Sequence, residues 1–439
     1  MTPAAGARDS SFGLPTAVSL VMGNMIGSGV FLLPAALAPY GGLSFAGWLV
    51  SAGGATLLAL VFARLARAAP AAGGPYAYTR QAFGDLAGFL VAWGYWISIW
   101  CGTAAIAVAF VGYLDPFFPG VVRTPVLAAL AAIGTVWLLT GVNIRGVAAA
   151  GAVQLATTIL KVLPLAFVGI GGLALFEPAH FAAPGATTGG LGTAVTATAT
   201  LTLWAFLGLE CATIPAGEVR DPHRTIPRAT IIGTLLAAAI YIVSTAGVMS
   251  LVSPAVLAGS TAPFADAARA LAGDGAAVLV AAGAAISCFG ALNGWILIVG
   301  QLTKATAEDG LFPRVFARTS SRGTPAHGMV IAGVLTSTLI AMNYSQGLVE
   351  LFTFFILLAT LATLVPYVFC SVAALVLHRR TAGRGLPAGA AVIAGLAFAY
   401  SMWAIGGAGA DVVYWGFLLL LAGLPVYAWV GGQHTPRRG

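Results

Sequence analysis

The chain has 439 residues, of which 59% are hydrophobic and only 8% are charged, and its formal net charge is +7. A water-soluble domain of this composition would expose large apolar patches, so a soluble protein is excluded. The mean hydropathy of +0.95 indicates a protein embedded in a membrane.

Twelve apolar stretches follow one another along the chain, most of them at or above the ~20 residues that span a bilayer. They are continuously apolar rather than alternating, which predicts helices and not barrel strands. We expect no cleavable signal peptide, because a short polar segment precedes a first span that is too long for a signal sequence. The predicted spans are 14–38, 43–65, 84–114, 121–143, 151–176, 193–216, 226–252, 274–305, 327–343, 348–377, 386–405 and 411–431.

Basic residues concentrate on one side of this predicted bundle. If the N-terminus is cytoplasmic, all but three of the 20 lysines and arginines fall on the inner side. Arg123 and Arg269 then fall outside, and Lys161 lies within a span. This asymmetry follows the positive-inside rule and predicts a multi-pass inner-membrane protein with both termini in the cytoplasm. It explains the positive charge without a nucleic-acid partner, and none is expected.

The first predicted span contains its own interruption, at residues 23–29 (Gly-Asn-Met-Ile-Gly-Ser-Gly). Glycine, asparagine and serine disfavour helix, and backbone groups freed inside a membrane must find partners or line a protected cavity. A half-helix that restarts here would present the N–H groups of Ser28 and Gly29, which suit a carboxylate. The alternative is that Gly23 and Gly27 form a small-residue packing seam between helices.

Lys161 lies about ten residues into the fifth predicted span. A cation at this depth predicts a functional group, either a fixed charge in the place of a bound Na⁺ or a group that exchanges protons. The alternative is that its long side chain reaches out to the lipid headgroups.

The sixth predicted span contains a second interruption, at Leu201–Glu210. Unwinding between Ala205 and Gly208 would free carbonyl groups that suit an ammonium, so the two interruptions together describe a site for a zwitterion. Trp204 adjoins the irregular backbone and is the predicted gate. Trp96 and Trp100 are instead assigned to packing or to the membrane interface.

Glu210 is an acid inside this sixth span, where an ionised carboxylate costs roughly 3 kcal/mol. Its position predicts a role in a transport pathway or in proton exchange. The alternative is a protonated carboxyl group that is hydrogen-bonded to a neighbouring helix.

Two further segments interrupt the second half of the chain. Glu218–Arg224 is a charged loop, and Pro222 and Pro227 predict that it stays turn-like. Pro263–Gly273 predicts a short amphipathic helix on the outer surface, with Phe264, Ala268 and Leu271 on one side.

Interruptions at matching places in two five-span halves predict an inverted repeat with its site between the halves. The expected organisation is a cytoplasmic tail, two repeats, two further helices and a second cytoplasmic tail, at 1–13, 14–176, 193–377, 386–431 and 432–439. The chain has no nucleotide-binding, hydrolase or zinc-protease motif, and its five histidines are scattered. We therefore expect no enzyme activity, no cofactor and no metal site.

Several motifs, in order along nearly the whole chain, resemble those of the amino acid–polyamine–organocation (APC) superfamily. Within it, the chain is most similar to the basic amino acid/polyamine antiporters, such as the arginine/agmatine, lysine/cadaverine and ornithine/putrescine exchangers. The resemblance implies an all-α, LeuT-like membrane fold with twelve transmembrane helices, in which a five-plus-five inverted repeat with discontinuous helices 1 and 6 precedes two C-terminal helices. The motifs are Gly27–Phe31 with Pro34, Gly73–Tyr78, Trp204–Glu210, Pro222 with Pro227, and Asp309–Pro313.

The resemblance also implies roles for individual residues. Ser28 and Gly29 would bind the substrate carboxylate, backbone from Trp204 to Leu207 would take the ammonium, and Trp204 would close over the substrate. The implied substrate-binding set is Asn24, Ile26, Gly27, Ser28, Gly29, Thr103, Ile106, Trp204, Leu207, Trp295 and Ala359. The implied gating and proton-coupling set is Tyr95, Lys161, Trp204, Glu210, Trp295 and Tyr367.

Four residues depart from the arginine exchanger's pattern. Thr103, Ile106 and Ala359 stand where that exchanger has Asn, Met and Ser. Lys161 is absent from it and resembles the span-five lysine of proton-coupled permeases and neutral amino acid exchangers, which stands where sodium-coupled relatives hold Na⁺.

Two functions stay open. One is an alternating-access antiporter of amino acids, or of an amino acid and its decarboxylated amine. The other is a proton-coupled symporter of neutral or broad specificity that uses Lys161 in place of Na⁺. The expected partners are a small amino acid or amine and membrane lipid, and a homodimer is one assembly to be tested.

Overall fold

A computed structural model describes residues 13–68, 73–182, 190–260, 262–343, 348–382 and 385–432. The predicted tails 1–13 and 432–439 lie outside these residues apart from Gly13 and Gly432. So do Arg8, Arg384, Arg437 and Arg438, which contribute to the predicted charge asymmetry.

The described residues form α-helices and short 3₁₀ turns without a β-strand, which confirms the all-α prediction. The α-helices are α1 Leu14–Met25, α2 Ser28–Leu37, α3 Ser44–Ala68, α4 Pro75–Phe83, α5 Asp85–Gly112, α6 Pro119–Val122, α7 Pro125–Ile144, α8 Val147–Ala174, α9 Gly190–Leu203, α10 Pro222–Leu251, α11 Pro254–Leu257, α12 Pro263–Glu308, α13 Ala326–Asn343, α14 Leu348–Ala382, α15 Ala388–Gly407, α16 Ala410–Leu421 and α17 Leu424–Gly432.

Ten stretches of the described residues are long and apolar enough to cross a membrane, and Ala326–Met342 is a shorter apolar helix. One of the ten, Leu14–Ala68, comprises α1, α2 and α3. Length and apolar character therefore make the chain a multi-pass membrane protein.

α1 and α2 are separated by two residues with non-helical backbone. Ile26 has φ −78° and ψ 83°, and Gly27 has φ −124° and ψ −135°. Both residues are buried. Backbone groups that would bond within a continuous helix are therefore exposed to the interior of the bundle.

A second irregular segment begins where α9 ends, at Leu203. From there to Asp221 the chain forms short 3₁₀ helices joined by turns and extended residues, with no α-helix, so the irregular part is longer than the local break predicted within 193–216. Gly208 has φ +105°, and a Cβ there would lie 3.2 Å from both Asn24 Cβ and a ring carbon of Trp295. A glycine is therefore required at this turn, both for its conformation and for the close approach.

The turn predicted around Pro222 and Pro227 is wrong. Pro222 is the first residue of α10 and Pro227 lies inside this helix of 30 residues. Proline's fixed φ suits the first turn, where the missing N–H group has no intrahelical partner. Pro227 then removes one hydrogen bond near the start of a long helix, which the remaining bonds and packing tolerate.

The last predicted span, 411–431, is also interrupted in the structure. α16 ends at Leu421 and α17 begins at Leu424. Gly423 and Pro425 both disfavour helix there. A Cβ at Gly423 would lie 2.7 Å from the Trp93 ring, whose Nε1 donates to the Leu419 carbonyl at 2.9 Å, so this end packs closely on α5.

α12 contains the predicted short helix at its start. Ala272 and Gly273 are non-helical and divide it from the long remainder. Phe264 and Ala268 are fully buried and Leu271 is half-buried, so the apolar side of this short helix faces the protein.

α4 connects the second irregular segment to the end of α12. The Gly73 N–H just before α4 donates to the Ile214 carbonyl at 3.0 Å. The Tyr76 hydroxyl donates to Asp309 at 2.7 Å, and the Arg80 guanidinium lies 2.8 Å from the same carboxylate. These contacts hold the irregular segment against one end of the bundle.

Candidate functional site

A small buried cavity lies between the two irregular segments, and its volume of about 10 Å³ leaves room for about one water molecule, so the site is nearly closed. Every lining residue except Met25 belongs to the sets that the resemblance implied. The lining residues are Asn24, Met25, Gly27, Ser28, Gly29, Ile106, Trp204, Leu207 and Trp295.

Two polar side chains of this cavity have no nitrogen or oxygen partner among the described residues. They are the Ser28 hydroxyl and the Asn24 amide, and these side chains are only 1% and 3% exposed. An unpaired buried polar group costs about 1–3 kcal/mol, so such groups in a cavity indicate a place for a polar ligand. Ser28 also begins α2, whose unpaired first-turn N–H groups carry partial positive charge.

The Trp204 indole lies between two helices at positions that lack side chains. A Cβ at Gly29 would lie 2.9 Å from Trp204 Cδ1, and a Cβ at Gly102 would lie 3.2 Å from Cη2. The Cβ position at Gly102 would also lie 3.8 Å from the Ala359 methyl group. The ring therefore fills the space between α2 and α5 and forms one wall of the cavity.

Lys161 binds the first irregular segment. It is fully buried, and its Nζ donates to the carbonyl oxygens of Gly23 and Ile26, both at 2.7 Å. The Ser287 hydroxyl donates to the same Ile26 carbonyl at 3.1 Å. The Lys161 side chain thus satisfies carbonyl groups freed by the helix break. The alternative that Lys161 reaches the lipid headgroups is wrong, because its ammonium is bound inside the bundle.

Glu210 joins the second irregular segment to two helices. It is fully buried, and its carboxyl oxygens accept hydrogen bonds from the hydroxyl groups of Tyr95 on α5 and Tyr367 on α14. The Tyr95 ring meets Trp295 edge-on, with 6.5 Å between ring centroids. Tyr95, Glu210 and Tyr367, three members of the implied gating and proton-coupling set, are therefore in contact, and Tyr95 connects them to the cavity wall.

Some of the expected binding groups already have partners. The Ala205 carbonyl, which was expected to be free, accepts a hydrogen bond from the Tyr241 hydroxyl at 2.8 Å. The Thr103 hydroxyl donates to the Ile99 carbonyl of its own helix at 2.7 Å. Ile26, Thr103 and Ala359 are buried nearby but do not line the cavity.

Tyr241 and Ser287 were not predicted, although both satisfy carbonyl groups of the irregular segments. A hydroxyl in an apolar span often bonds to its own helix, so the sequence carries no signal for these partners. Met25, in contrast, lies within the predicted interruption.

Residues 12–406 match the amino acid permease family. The chain is 38% identical over 369 residues to a cadaverine/lysine antiporter of Escherichia coli (strain K12), covering 82% of each protein. It is 34% identical over 452 residues to a putative arginine/ornithine antiporter of Bacillus subtilis (strain 168), covering 94% of this chain and 96% of that protein. It is 33% identical over 435 residues to the putrescine transporter PotE of E. coli (strain K12), covering 97% of both.

Proposed function

Because this chain belongs to the amino acid permease family, we propose that it is an antiporter that exchanges amino acids, or an amino acid for its decarboxylated amine, across a bacterial inner membrane. The family and its relatives are transporters, so the chain is a membrane transporter and not an enzyme. The observation that carries the exchange proposal is a buried cavity with unpaired polar groups, in a chain similar over most of its length to proteins named antiporters.

The proposed fold is the twelve-helix, five-plus-five inverted repeat, with α1–α2 and the α9 segment as its two discontinuous helices and both termini in the cytoplasm. The substrate carboxylate binds at Ser28 and Gly29, where the start of α2 supplies N–H donors. The ammonium binds near the Trp204–Leu207 backbone. The Ala205 carbonyl accepts from Tyr241, and the Trp204 carbonyl accepts from the Leu207 N–H group at 3.2 Å. The carbonyl groups of Phe206 and Leu207 and the Asn24 amide oxygen are therefore the acceptors that we propose.

Transport follows when the nearly closed cavity widens to admit the substrate and the two discontinuous helices tilt against the remaining bundle. Trp204 and Trp295 enclose the substrate, and the Tyr95–Glu210–Tyr367 contacts separate on the inner side. Thr103 and Ala359, outside the closed cavity, contact the substrate in a more open state. A homodimer in membrane lipid is the assembly that we propose.

A proton-coupled symporter is not favoured. Lys161 is the feature that suggested it, and the hydrogen bonds to Gly23 and Ile26 agree with a fixed cation at the first break. The relatives that cover most of this chain, however, are named as antiporters.

The test is counterflow in proteoliposomes that contain the purified chain. Radiolabelled lysine, arginine or ornithine is supplied outside, and the vesicles hold the same amino acid, its amine or buffer alone. We expect internal substrate to stimulate uptake several-fold. Uphill uptake into empty vesicles, driven by a pH gradient alone, would contradict exchange and support symport.

A second prediction concerns Glu210. We expect Glu210→Gln to flatten the pH dependence of exchange, because glutamine keeps the shape of the side chain but exchanges no proton. The measurement is counterflow at a series of pH values, normalised to folded protein. Glu218→Gln is the matched control, since Glu218 lies in the same segment without tyrosine partners, and its profile should match the unsubstituted chain. An unchanged profile in Glu210→Gln would remove Glu210 as the proton-sensing group.

A further inference from the structure

A second cavity lies at one end of the bundle, where the ends of α3 and α14 meet the start of α15. It is open on one side, and its volume is about 370 Å³. Arg64, Arg67 and His378 line one part of it, and Leu65, Ala374 and Leu377 line another. None of these residues belongs to the transport site.

The arginines of this cavity have no acidic partner. Arg64 and Arg67 lie three residues apart on α3 and so project from neighbouring positions on one side of the helix. Neither forms an ion pair with a described residue, and no aspartate or glutamate lines the cavity. Two uncompensated guanidinium groups beside a cavity favour an anion, and a phosphate accepts from both with good geometry.

The remaining wall is apolar. Leu65 lies beside the end of α3. Ala374 and Leu377 lie one to two turns before the end of α14, closer to the centre of the bundle. A soluble phosphate would use the arginines but gain nothing from this wall. A lipid uses both, since its phosphate lies at the level where spanning helices end and its acyl chain extends from there.

We propose that this cavity binds an anionic phospholipid, with the headgroup phosphate on Arg64 and Arg67 and the start of an acyl chain against Leu65, Ala374 and Leu377. The positive-inside rule alone would explain basic residues at a helix end. It does not explain why a cavity with an apolar wall lies beside these two arginines.

The test is native mass spectrometry of the full chain in detergent, titrated with phosphatidylglycerol. In the double variant Arg64→Gln/Arg67→Gln we expect binding to weaken about thirtyfold, which is about 2 kcal/mol at 1.4 kcal/mol per tenfold, since each direct guanidinium–phosphate hydrogen bond that is lost costs about 1 kcal/mol. Arg379→Gln is the matched control. Arg379 is exposed beside His378 but does not line the cavity, so binding should be unchanged. Equal binding by the double variant and the unsubstituted chain would overturn the proposal.

A second variant separates a lipid from a free anion. Ala374→Leu leaves both arginines in place and fills part of the space beside the apolar wall. It should therefore weaken the binding of phosphatidylglycerol and leave the binding of inorganic phosphate unchanged. If it spares both, or if inorganic phosphate binds the unsubstituted chain as tightly as the lipid does, the site takes a soluble anion and the lipid proposal fails. Ala374→Leu also decides the matter if the double arginine variant does not fold. Lipid binding is measured without transport, so its outcome is independent of the exchange experiment.

Discussion

Lys161→Met is expected to abolish exchange and to lower the thermal unfolding temperature of the protein. The variant keeps an unbranched side chain but removes the ammonium that binds the Gly23 and Ile26 carbonyl groups. Each buried acceptor left without its partner costs about 1–3 kcal/mol. Ser287 still donates to Ile26, so the Gly23 carbonyl bears the larger loss. The measurements are thermal unfolding in detergent and counterflow in proteoliposomes.

Lys304→Met is the matched control for this change. Lys304 lies near the end of α12, is 27% exposed, and is 3.7 Å from Glu308. Its loss should cost at most about 0.5 kcal/mol, as for an exposed ion pair on a helix. If Lys161→Met were as stable and as active as Lys304→Met, Lys161 would not hold the first helix break together.

Trp204→Ala is expected to weaken substrate binding by about tenfold, or about 1.4 kcal/mol, and to slow exchange. The indole forms a wall of the cavity and separates Gly29 from Gly102. Its removal leaves a gap that neither glycine can fill and exposes the bound substrate. Dissociation constants from radioligand competition, together with counterflow rates per folded molecule, measure the effect.

Trp100→Ala is the control for the gate. Trp100 packs against Trp96 at 6.4 Å between ring centroids and does not line the cavity. Its substitution should lower stability and leave the dissociation constant unchanged. Equal losses of binding in the two variants would contradict the role of Trp204 as the gate.

The position of the cavity was predictable from composition along the chain. Residues 23–29 concentrate glycine, asparagine and serine within an apolar stretch. Such a cluster favours an interrupted helix over a continuous one in a membrane. Lys161 and Glu210 stood out for the same reason, because an ionisable group is costly at that depth. Each of these signals is local, and the structure places Lys161 directly on the first interruption.

The partners of these groups were not predictable from local pattern. Tyr95 and Tyr367 lie 115 and 157 residues from Glu210, and only the family resemblance brought the three together. Neither local pattern nor the resemblance predicted that Tyr241 bonds to the Ala205 carbonyl. Its hydroxyl group occupies a carbonyl group that was expected to bind substrate.

The wrong helix boundaries have a related cause. Pro227 is a helix breaker by propensity, yet the packing of a long helix outweighs one lost hydrogen bond. The interruption of the last span at Gly423 accompanies contact with Trp93 on α5, which is remote in sequence. Boundaries decided by such contacts need the tertiary structure.

Gly29 and Gly102, on either side of the Trp204 ring, limit how this transporter can be re-engineered. Even a methyl group at either position would clash with the indole. Substitutions there would displace the ring and would not change the size of the cavity beside it. Ile106 lines the same space from α5 without that constraint. Divergence towards larger or smaller cargo is therefore expected to run through Ile106, while Gly29 and Gly102 stay invariant.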